Sequence, residues 1–364
     1  MKRLRMTAPI AAQGSCDESM CCTEKDANID LGTGCRRMKL FDSRWDGYHG
    51  IGRFSVELFS RLNGFQRVQI RGKPTDPIDP WRLGYYLRRV NPVLYFSPGY
   101  NAPIGAVGKF ALTVYDLNHL RVKENSSNLI RIYYARILRP AVRRADVVFT
   151  SSEFSKGEIL EWSGINAHKL VTLKPGISES LSQNGAKFKS ARPYFLYVGN
   201  HSSHKNLEGA FRGFALSKLH HSHYFLVTGL PSKKMRVLLN RLSILDDVKF
   251  LGRVTDSDLA ALYRGATAAV LVSFYEGFGM PIIESMACGT PVLTSNVASM
   301  PEAAGGAAVL VNPYSVEEIA DGMRKLACDD DLRRVLTKRG LEWSSRYCWD
   351  ATARKVGHAL EEMV

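Results

Sequence analysis

Short apolar runs alternate with segments of helical period from residue 38 onward, and this alternation restricts the possible folds more than any other feature of the sequence. MKLFDSRWDGYHGIGRFSVELFSRL (38–62) is expected to form a short strand, a glycine-containing loop and an amphipathic helix. Further strands of the first half are expected in VLYFS (93–97), FALTVYD (110–116) and DVVFTS (146–151). In the second half, six further strands are expected at 194–199, 224–229, 248–252, 268–274, 291–295 and 307–311. Strands separated by helices form parallel βαβ units. The pattern therefore predicts an α/β protein with doubly wound parallel sheets.

Length and local composition divide this pattern into two domains. The chain has 364 residues, which exceeds the ~100–200 residues usual for one domain. The stretch SESLSQNGAKFKSARP (178–193) has the composition of a linker. We predict a loose tail at 1–37, an N-terminal Rossmann-like domain at 38–187 and a C-terminal one at 188–345. Ligands of such sheets bind at the carboxyl ends of the strands, so the cleft between the two domains is the expected site.

Composition excludes some classes of protein and predicts a cytoplasmic location. The sequence contains no run of the ~18 apolar residues that a membrane-spanning helix needs, and its N-terminus lacks the apolar core of a secretory signal. Seven cysteines are an odd number, and none forms a C-x-x-C pair. We interpret them as reduced thiols, with zinc binding as the alternative. Four of them lie in the first 35 residues: Cys16, Cys21, Cys22 and Cys35.

The stretch YEGFGMPIIESMACGTPV (275–292) combines two glycines, a proline and two glutamates at a predicted strand-to-helix turn. Pro281 suits the first position of a helix, which places Glu276 in the loop and Glu284 in the first helical turn. The backbone amides of Phe278, Gly279 and Met280 would then point outward at a positive helix end, where a phosphate can bind. The alternative is that Glu284 only complements the helix dipole while Glu276 is a solvated acid.

This stretch resembles the E-G-F-G-x-P-x-x-E signature of the retaining family-four glycosyltransferases, which have the GT-B fold of two doubly wound Rossmann-like domains facing across a cleft. The resemblance covers about residues 38–364 and continues through SMACGTPVLTSNVASMPEAAGGAAVLVNP. It implies that Glu276 contacts the hydroxyls of the donor sugar and that Glu284 contacts the ribose of the nucleotide. It also implies that the last helix, at 346–364, crosses back to the first domain.

Other segments resemble the same family in the same order. YVGNHSSHKNL places Lys205 where the family has a lysine that binds the donor diphosphate, and an ammonium there would stabilise the leaving group. Asn200 stands near a position where many relatives carry arginine or threonine, so His204 or Arg253 could supply a second cation. FLGRVTDSDLAALYRGA resembles the segment that lines the base pocket, which implies that Arg253 and Val254 lie near the nucleobase.

The first domain supplies a glycine loop and one departure from the family. DGYHGIGRFSVEL resembles the loop that faces the donor phosphate, which assigns Gly50 and Gly52 to it; the alternative is a plain strand-to-helix turn. Where many relatives have histidine before aspartate, LTVYDLNHL has Tyr115 before Asp116. We predict Asp116 and His119 as catalytic residues. The alternative is an Asp116 that caps a helix beside a packed His119.

Charge is concentrated in the first half of the chain. Residues 38–190 contain 23 Lys and Arg against 12 Asp and Glu. Within 128–146, Arg136, Arg139 and Arg143 fall on one helical face, opposite a set of apolar residues: Tyr134, Ile137, Leu138 and Ala141. Such a stretch can lie on an anionic membrane surface, or it can pack against the core with solvated arginines. Nucleic acid is not expected as a partner, because no recognisable reading motif is present.

These features predict a retaining, metal-independent hexosyltransferase without a cofactor. The first hypothesis is transfer of mannose from GDP-mannose to a cell-surface glycan or a lipid-linked oligosaccharide, as in lipopolysaccharide synthesis, in the cytoplasm or on the inner face of the cytoplasmic membrane. The alternatives are a UDP- or dTDP-sugar donor, or a catalytically silent sugar-nucleotide-binding protein. A dinucleotide-dependent oxidoreductase is disfavoured, because no G-x-G-x-x-G directly follows a strand.

Overall fold

Two six-stranded parallel sheets form the framework of the protein. A computed structural model describes residues 38–47, 50–105 and 108–364. The strand order is β2-β1-β3-β4-β5-β6 in the first sheet and β12-β11-β10-β7-β8-β9 in the second, and every pairing within both sheets is parallel. The predicted class of doubly wound α/β protein is confirmed.

The first sheet and its helices occupy the chain from residue 39 to residue 172. The strands are β1 (Lys39–Phe41), β2 (Phe65–Arg67), β3 (Leu94–Ser97), β4 (Lys109–Thr113), β5 (Val147–Thr150) and β6 (Leu170–Thr172). The helices are α1 (Gly50–Phe59), α2 (Asp79–Val90), α3 (Asn118–Arg121), α4 (Asn128–Tyr133), a π-helical turn (Tyr134–Leu138), α5 (Arg139–Arg144) and α6 (Glu153–Ser163).

The second sheet begins at residue 194 and is followed by three longer helices. The strands are β7 (Tyr194–Tyr197), β8 (Tyr224–Val227), β9 (Val248–Phe250), β10 (Ala268–Leu271), β11 (Val292–Ser295) and β12 (Val309–Val311). The helices are α7 (Leu207–Ser217), α8 (Lys233–Arg241), α9 (Asp256–Gly265), α10 (Met280–Ala287), α11 (Met300–Ala304), α12 (Val316–Cys328), α13 (Asp330–Ser344) and α14 (Trp349–Glu361).

The last helix packs on the first sheet although it follows the second in sequence. Trp349 and Val356 of α14 are buried in one apolar cluster with Phe41 of β1 and Phe54 of α1. The Trp349 and Phe54 ring centroids are 6.0 Å apart. Burial of these side chains ties the C-terminal helix to the first sheet. The residue boundaries of the two domains stay a prediction.

Strands β2 and β6 were not predicted from the sequence. Both are three-residue strands at the edges of the sheet, and β2 is mostly exposed. Edge strands this short do not show the long apolar run by which a buried central strand is recognised. The predicted strand at 110–116 ends at Thr113, and the residues after it turn into the loop that faces the second sheet. Among the residues that the structure describes, no helix is long and apolar enough to cross a membrane.

The predicted tail lies outside the described residues, as do its four cysteines. The three free cysteines within the described residues are Cys288, which is buried, and Cys328 and Cys348, which are exposed. Burial raises the pKa of the Cys288 thiol to about 12.

Candidate active site

An ion pair between Lys205 and Glu276 lies beyond the carboxyl ends of β7 and β10. Lys205 ends a short turn after β7, and Glu276 lies in the loop between β10 and α10. The Lys205 Nζ atom is 2.6 Å from Glu276 Oε1 and 2.7 Å from Oε2, and Ser273 Oγ donates to Oε1 at 2.8 Å. The side chains of the pair are only 16% and 10% exposed. The structure therefore brings together two residues that the resemblance assigns to one ligand.

The start of α10 lies directly after this loop. Gly279 has a φ of 97°, the left-handed region that favours glycine, and it caps the helix without a side-chain hydrogen bond. Pro281 is the second helical residue, one position later than predicted, because the helix already begins at Met280. Phe278 is buried, and its ring centroid lies 5.5 Å from that of Tyr347. The predicted phosphate-binding amides therefore stand on a rigid turn.

Glu284 is the fifth residue of α10, so the prediction that it lies in the first helical turn is wrong. Its carboxylate is buried and accepts a hydrogen bond from the Tyr263 hydroxyl at 3.2 Å. Burial raises the pKa of Glu284, while the positive charge of Arg53 opposes that rise. A buried carboxylate needs hydrogen-bond partners, and a ligand with hydroxyl groups could supply them. This position therefore favours ligand binding over the alternative in which Glu284 only complements the helix dipole.

Arg53 lies on α1, on the first sheet's side, and its positive charge acts on the Glu284 carboxylate. It follows the predicted glycine loop on α1 and forms an ion pair with Asp256, the first residue of α9. Sequence reasoning did not single out Arg53. The GIGR stretch itself was a usable signal, because its arginine follows the glycine assigned to the donor.

The two predicted glycines of α1 differ in their surroundings. Gly50 is the first residue of the helix, and a Cβ there would meet nothing within 4 Å. A Cβ on Gly52 would lie 2.5 Å from the backbone nitrogen and oxygen of Gly47, so this position admits only glycine. Gly52 therefore lets the loop before the helix fold back closely on it.

Asp116 reaches the EGFG loop from the first sheet. A Cβ on Gly277 would lie 2.5 Å from Asp116 Oδ2, so the two chain segments are in close contact. Asp116 Oδ1 accepts from the Asn118 backbone N–H at 2.9 Å and from the Tyr100 hydroxyl at 3.3 Å. Burial raises the pKa of Asp116, and the nearby Glu276 charge adds to the rise. Asp116 thus contacts the EGFG loop and also accepts from the first backbone N–H of α3, although the N-cap of that helix is Leu117 and not Asp116 as in the alternative.

Tyr115 and His119 have other partners. The Tyr115 hydroxyl donates to the Pro98 carbonyl at 2.7 Å, so it is already used within the first sheet. His119 Nδ1 lies 3.0 Å from the Tyr134 hydroxyl, and its ring packs edge-on against Tyr100 at 6.2 Å between centroids. These contacts fit the packed His119 of the alternative hypothesis. Neither Tyr115 nor His119 hydrogen-bonds to the Lys205–Glu276 pair, whose other bonded side chain is Ser273.

The remaining predicted donor residues lie on loops of the second sheet. The Asn200 carbonyl accepts from the Tyr197 hydroxyl at 2.7 Å, and its Oδ1 accepts from the Ser202 N–H at 3.2 Å. These bonds shape the turn that leads to Lys205. Arg253 is exposed after β9, and Val254 packs against a buried cluster of the second sheet.

His204 links the two sheets next to Lys205. Its Nε2 is 3.3 Å from Asn118 Nδ2 and its Nδ1 is 3.1 Å from Asn125 Nδ2, both on the first sheet's side. Burial lowers the pKa of this histidine and the neighbouring Lys205 charge adds to that change, while the Glu276 charge opposes it. A lowered pKa disfavours His204 as the second cation that the sequence left open.

A group of hydroxyls also joins the two sides, and sequence reasoning missed it. The Gly277 carbonyl oxygen accepts hydrogen bonds from Ser151, Ser152 and Ser155 at 3.0, 2.7 and 3.1 Å. Ser152 is also the N-cap of α6. The S-x-x-S pattern in the sequence therefore indicated a helix start, but it did not indicate that Ser152 also donates to Gly277.

Glu302 makes a second connection to the same helix. Its carboxylate accepts from the backbone N–H of Glu153 at 2.8 Å and of Phe154 at 3.3 Å, where the α6 dipole is positive. The start of α6 therefore binds both the EGFG loop, through the Gly277 carbonyl, and α11, through the Glu302 carboxylate. Among the described residues, no group of three or more His, Cys, Asp or Glu could hold a metal ion.

Comparison with known proteins shows similarity to glycosyltransferases. The family model described as "Glycosyl transferases group 1" matches residues 180–343. The chain is 29% identical over 288 residues to the O-antigen chain mannosyltransferase B of Escherichia coli, which covers 75% of each chain. It is 27% identical over 255 residues to the O-antigen chain mannosyltransferase RfbU of Salmonella typhimurium, covering 69% of each.

Solved structures show the same architecture across nearly the whole chain. The crystal structure of WaaG, a glycosyltransferase involved in lipopolysaccharide biosynthesis, superposes with a TM-score of 0.70 at 15% identity, over 89% of this chain and 99% of that one. This likeness supports the fold, while the family model and the two relatives support the enzyme class. The chain is therefore a glycosyltransferase with the GT-B fold that carries a domain of the glycosyl transferases group 1 family at residues 180–343.

Proposed function

We propose that this glycosyltransferase is a retaining enzyme that moves a mannosyl unit from GDP-mannose to a lipid-linked or cell-surface glycan. The observation that carries the proposal is the Lys205–Glu276 pair beside the start of α10, whose N-cap Gly279 makes no side-chain hydrogen bond, with the buried Glu284 on the same helix. Mannose is preferred because two relatives similar over most of the chain are named O-antigen chain mannosyltransferases.

Each residue has a distinct part in binding the donor. Lys205 and the amides at the start of α10 neutralise the diphosphate, because an ammonium and a positive helix end both favour negative charge. Glu276 orients the sugar through its hydroxyls. Glu284 accepts hydrogen bonds from the ribose, since its carboxylate is buried and has the Tyr263 hydroxyl as its partner. Arg253 and Val254 line the base pocket.

The transfer step needs no covalent intermediate on the protein. The bond between the sugar and the diphosphate breaks while the acceptor oxygen attacks the same face, and the acceptor proton passes to the departing diphosphate. Lys205 stabilises the negative charge that grows on this leaving group, which lowers the barrier without a metal ion. Asp116, in contact with the EGFG loop, faces the reacting sugar and holds one of its hydroxyls. Contact between the two sheets excludes water from the charged transition state.

One observation favours a second candidate. Tyr115 stands where many relatives have a histidine, and its hydroxyl is bonded to the Pro98 carbonyl. A sugar-nucleotide-binding protein without turnover would keep Lys205 and Glu284 and would lose this histidine. A UDP- or dTDP-sugar donor is the alternative within the enzyme class.

A thermal-shift screen against GDP, UDP, dTDP, ADP and their sugar conjugates tests the proposal. A ligand at a hundred times its dissociation constant stabilises the fold by ~2.7 kcal/mol, which gives a measurable rise in melting temperature. We expect the largest rise with GDP compounds, its loss in Lys205→Ala, and slow hydrolysis of GDP-mannose to GDP. A rise without any hydrolysis or transfer would support the silent binder. No rise with any nucleotide would overturn the proposed donor site.

A further inference from the structure

Helix α2 exposes a stripe of large apolar side chains. Ile78, which precedes the helix, Trp81 and Tyr85 are spaced by three and four residues, so they lie on one helical face. They are 61%, 56% and 58% exposed, whereas Leu83 and Leu87 on the opposite face are buried in the core. A single exposed apolar residue needs no explanation, but a row of three that includes a tryptophan does.

A second apolar pair lies on α4, on the same side of the first sheet. Leu129 is 77% exposed and Ile132 is 57% exposed. The buried side chains of α2 and of the α4–α5 segment share one apolar cluster, which places both helices on one face of the sheet: Leu83, Leu87, Tyr134, Leu138, Ala141 and Val142. Their exposed sides therefore both point away from that face of the sheet.

The loop at 103–105 ties the two helices together. Arg88 of α2 donates to the Ile104 carbonyl at 3.0 Å, and Arg144 of α5 donates to the Gly105 carbonyl at 2.8 Å. A Cβ on Gly84 would lie 2.1 Å from the Ile104 carbonyl oxygen, so α2 rests closely on this loop. Both helical segments therefore contact the same short loop, and the exposed sides of α2 and of the α4–α5 segment are treated together as one surface.

Arginines surround the apolar side chains of this surface. Six exposed arginines lie on the two segments: Arg88, Arg89, Arg131, Arg136, Arg143 and Arg144. Asp79 is the one acid within 79–90 and 128–144, and it is buried and paired with Arg44 and Arg82. The surface therefore presents positive charge with no exposed carboxylate on its helices.

We propose that the surface formed by α2 and the α4–α5 segment binds an anionic lipid bilayer. Tryptophan and tyrosine suit the boundary between headgroups and acyl chains, and arginines beside them attract anionic headgroups. The aliphatic side chains Ile78, Leu129 and Ile132 gain from leaving water in a bilayer, while a nucleic acid backbone offers them no apolar partner. The proposal holds whichever sugar the enzyme transfers.

The surface differs from the amphipathic face that the sequence suggested. Of the apolar residues expected there, Tyr134, Leu138 and Ala141 are buried in the core of the first sheet, and Ile137 packs against it. These side chains cannot also enter a lipid surface, so the version based on 128–146 alone is wrong. The exposed apolar groups come from α2 and from the start of α4 instead.

Co-sedimentation of the full chain with vesicles tests this proposal without requiring turnover. We expect binding to vesicles of phosphatidylglycerol and phosphatidylethanolamine, little binding to phosphatidylcholine alone, and release by added salt, because charge attraction is screened. The double variant Trp81→Ala, Tyr85→Ala should bind at least about tenfold more weakly through lost apolar burial. Each of Arg89→Gln and Arg136→Gln should weaken binding about fivefold.

Helix α8 of the second sheet supplies the matched control. It is also basic and exposes Val237, so the double variant Arg236→Gln, Val237→Ala should bind vesicles like the unaltered chain. All these positions are exposed, and transfer to a water-soluble acceptor should stay unchanged in the Trp81 and Tyr85 variant. Equal binding by that variant, equal binding to phosphatidylcholine, or no binding to anionic vesicles would overturn the proposal. Binding of a DNA duplex instead of vesicles would assign the surface to nucleic acid.

Discussion

The two sides of the cleft differ in how their residues reach the site. On the second sheet's side, Glu276 and Glu284 come from one strand-turn-helix unit, and Lys205 joins them from the neighbouring strand β7. On the first sheet's side, Asp116 contacts the site while Tyr115 and His119 of the same segment bond elsewhere. On the second sheet's side, most of the proposed donor-binding residues thus come from one continuous strand-turn-helix segment. On the first sheet's side, Asp116 reaches the site alone, and its position depends on the contact with the EGFG loop.

The largest expected effect comes from the charge at the centre of the donor side. Replacing Lys205 with alanine should lower kcat by about 10²–10³, because a fixed charge that stabilises the leaving group is lost. It should also lower stability, since Glu276 is left buried without its partner. Steady-state transfer rates and melting temperatures measure both effects. Lys233→Ala, at an exposed position on α8, is the control, and an unchanged kcat in Lys205→Ala would contradict the assignment.

The contact between the two sides is tested at Gly277. An alanine there would place its Cβ 2.5 Å from Asp116 Oδ2, so either the loop or Asp116 must move. Because Glu276 is the adjacent residue, we expect kcat to fall about 10²-fold through misplacement of its carboxylate. Gly157→Ala in α6, where a Cβ would meet nothing within 4 Å, should keep full activity. Full activity in Gly277→Ala would show that this contact does not position the site.

A change at Glu284 is expected to affect nucleotide binding and fold stability in opposite directions. The pKa of Glu284 is raised by burial, so the ionised carboxylate costs folding free energy at neutral pH. This cost decreases as the pH falls through the raised pKa and is gone below the ordinary value of 4.5. Glu284→Gln should therefore raise the melting temperature at pH 7 while weakening nucleotide binding about tenfold through a lost charged acceptor. Thermal melts and calorimetric titration measure the two changes.

The control for Glu284→Gln is Glu208→Gln, which alters only an exposed pair with Arg212. We expect this control to bind nucleotide normally. Weaker nucleotide binding accompanied by a lower melting temperature in Glu284→Gln would indicate a structural role for the carboxylate instead.

The smallest expected effect concerns the contacts that His204 makes across the cleft with Asn118 and Asn125. Its pKa is lowered by burial, so below pH ~6.5 the unfolded chain binds a proton that the folded chain does not. Stability is complete above that pH and decreases as pH falls through the lowered pKa, by at most ~1.4 kcal/mol per pH unit. Melting curves of the unaltered chain and of His204→Gln should converge as the pH is lowered. The exposed His168→Gln should leave this pH dependence unchanged, and parallel curves for the unaltered chain and His204→Gln would contradict a role of His204 in it.

The sequence predicts what is local and misses what crosses the cleft. The apolar run at 268–274, the glycines after it and Pro281 together indicate a strand, a turn and a helix, and the structure has all three. The helix begins one residue early because Gly279 takes the left-handed conformation that starts it. No local pattern, however, reveals that Ser152 donates to Gly277, since the two residues are 125 positions apart.

The same limit explains the errors on the first sheet's side. His119 follows Asp116 closely in sequence, yet helix α3 begins between them, and the histidine side chain bonds to Tyr134 of the following helical segment. The amphipathic pattern at 128–146 was correct in period, but period does not tell which apolar face meets the core and which meets solvent. The burial of Tyr134 and Leu138 gives that answer.

A crystal structure with the nucleotide that gives the largest thermal shift tests the proposed donor site most directly. We expect diphosphate oxygens within hydrogen-bond distance of Lys205 Nζ and of the amides at the start of α10, with the ribose hydroxyls on the Glu284 carboxylate. A nucleotide bound elsewhere, or one whose diphosphate does not contact the Lys205–Glu276 pair, would show that this pair does not form the donor site.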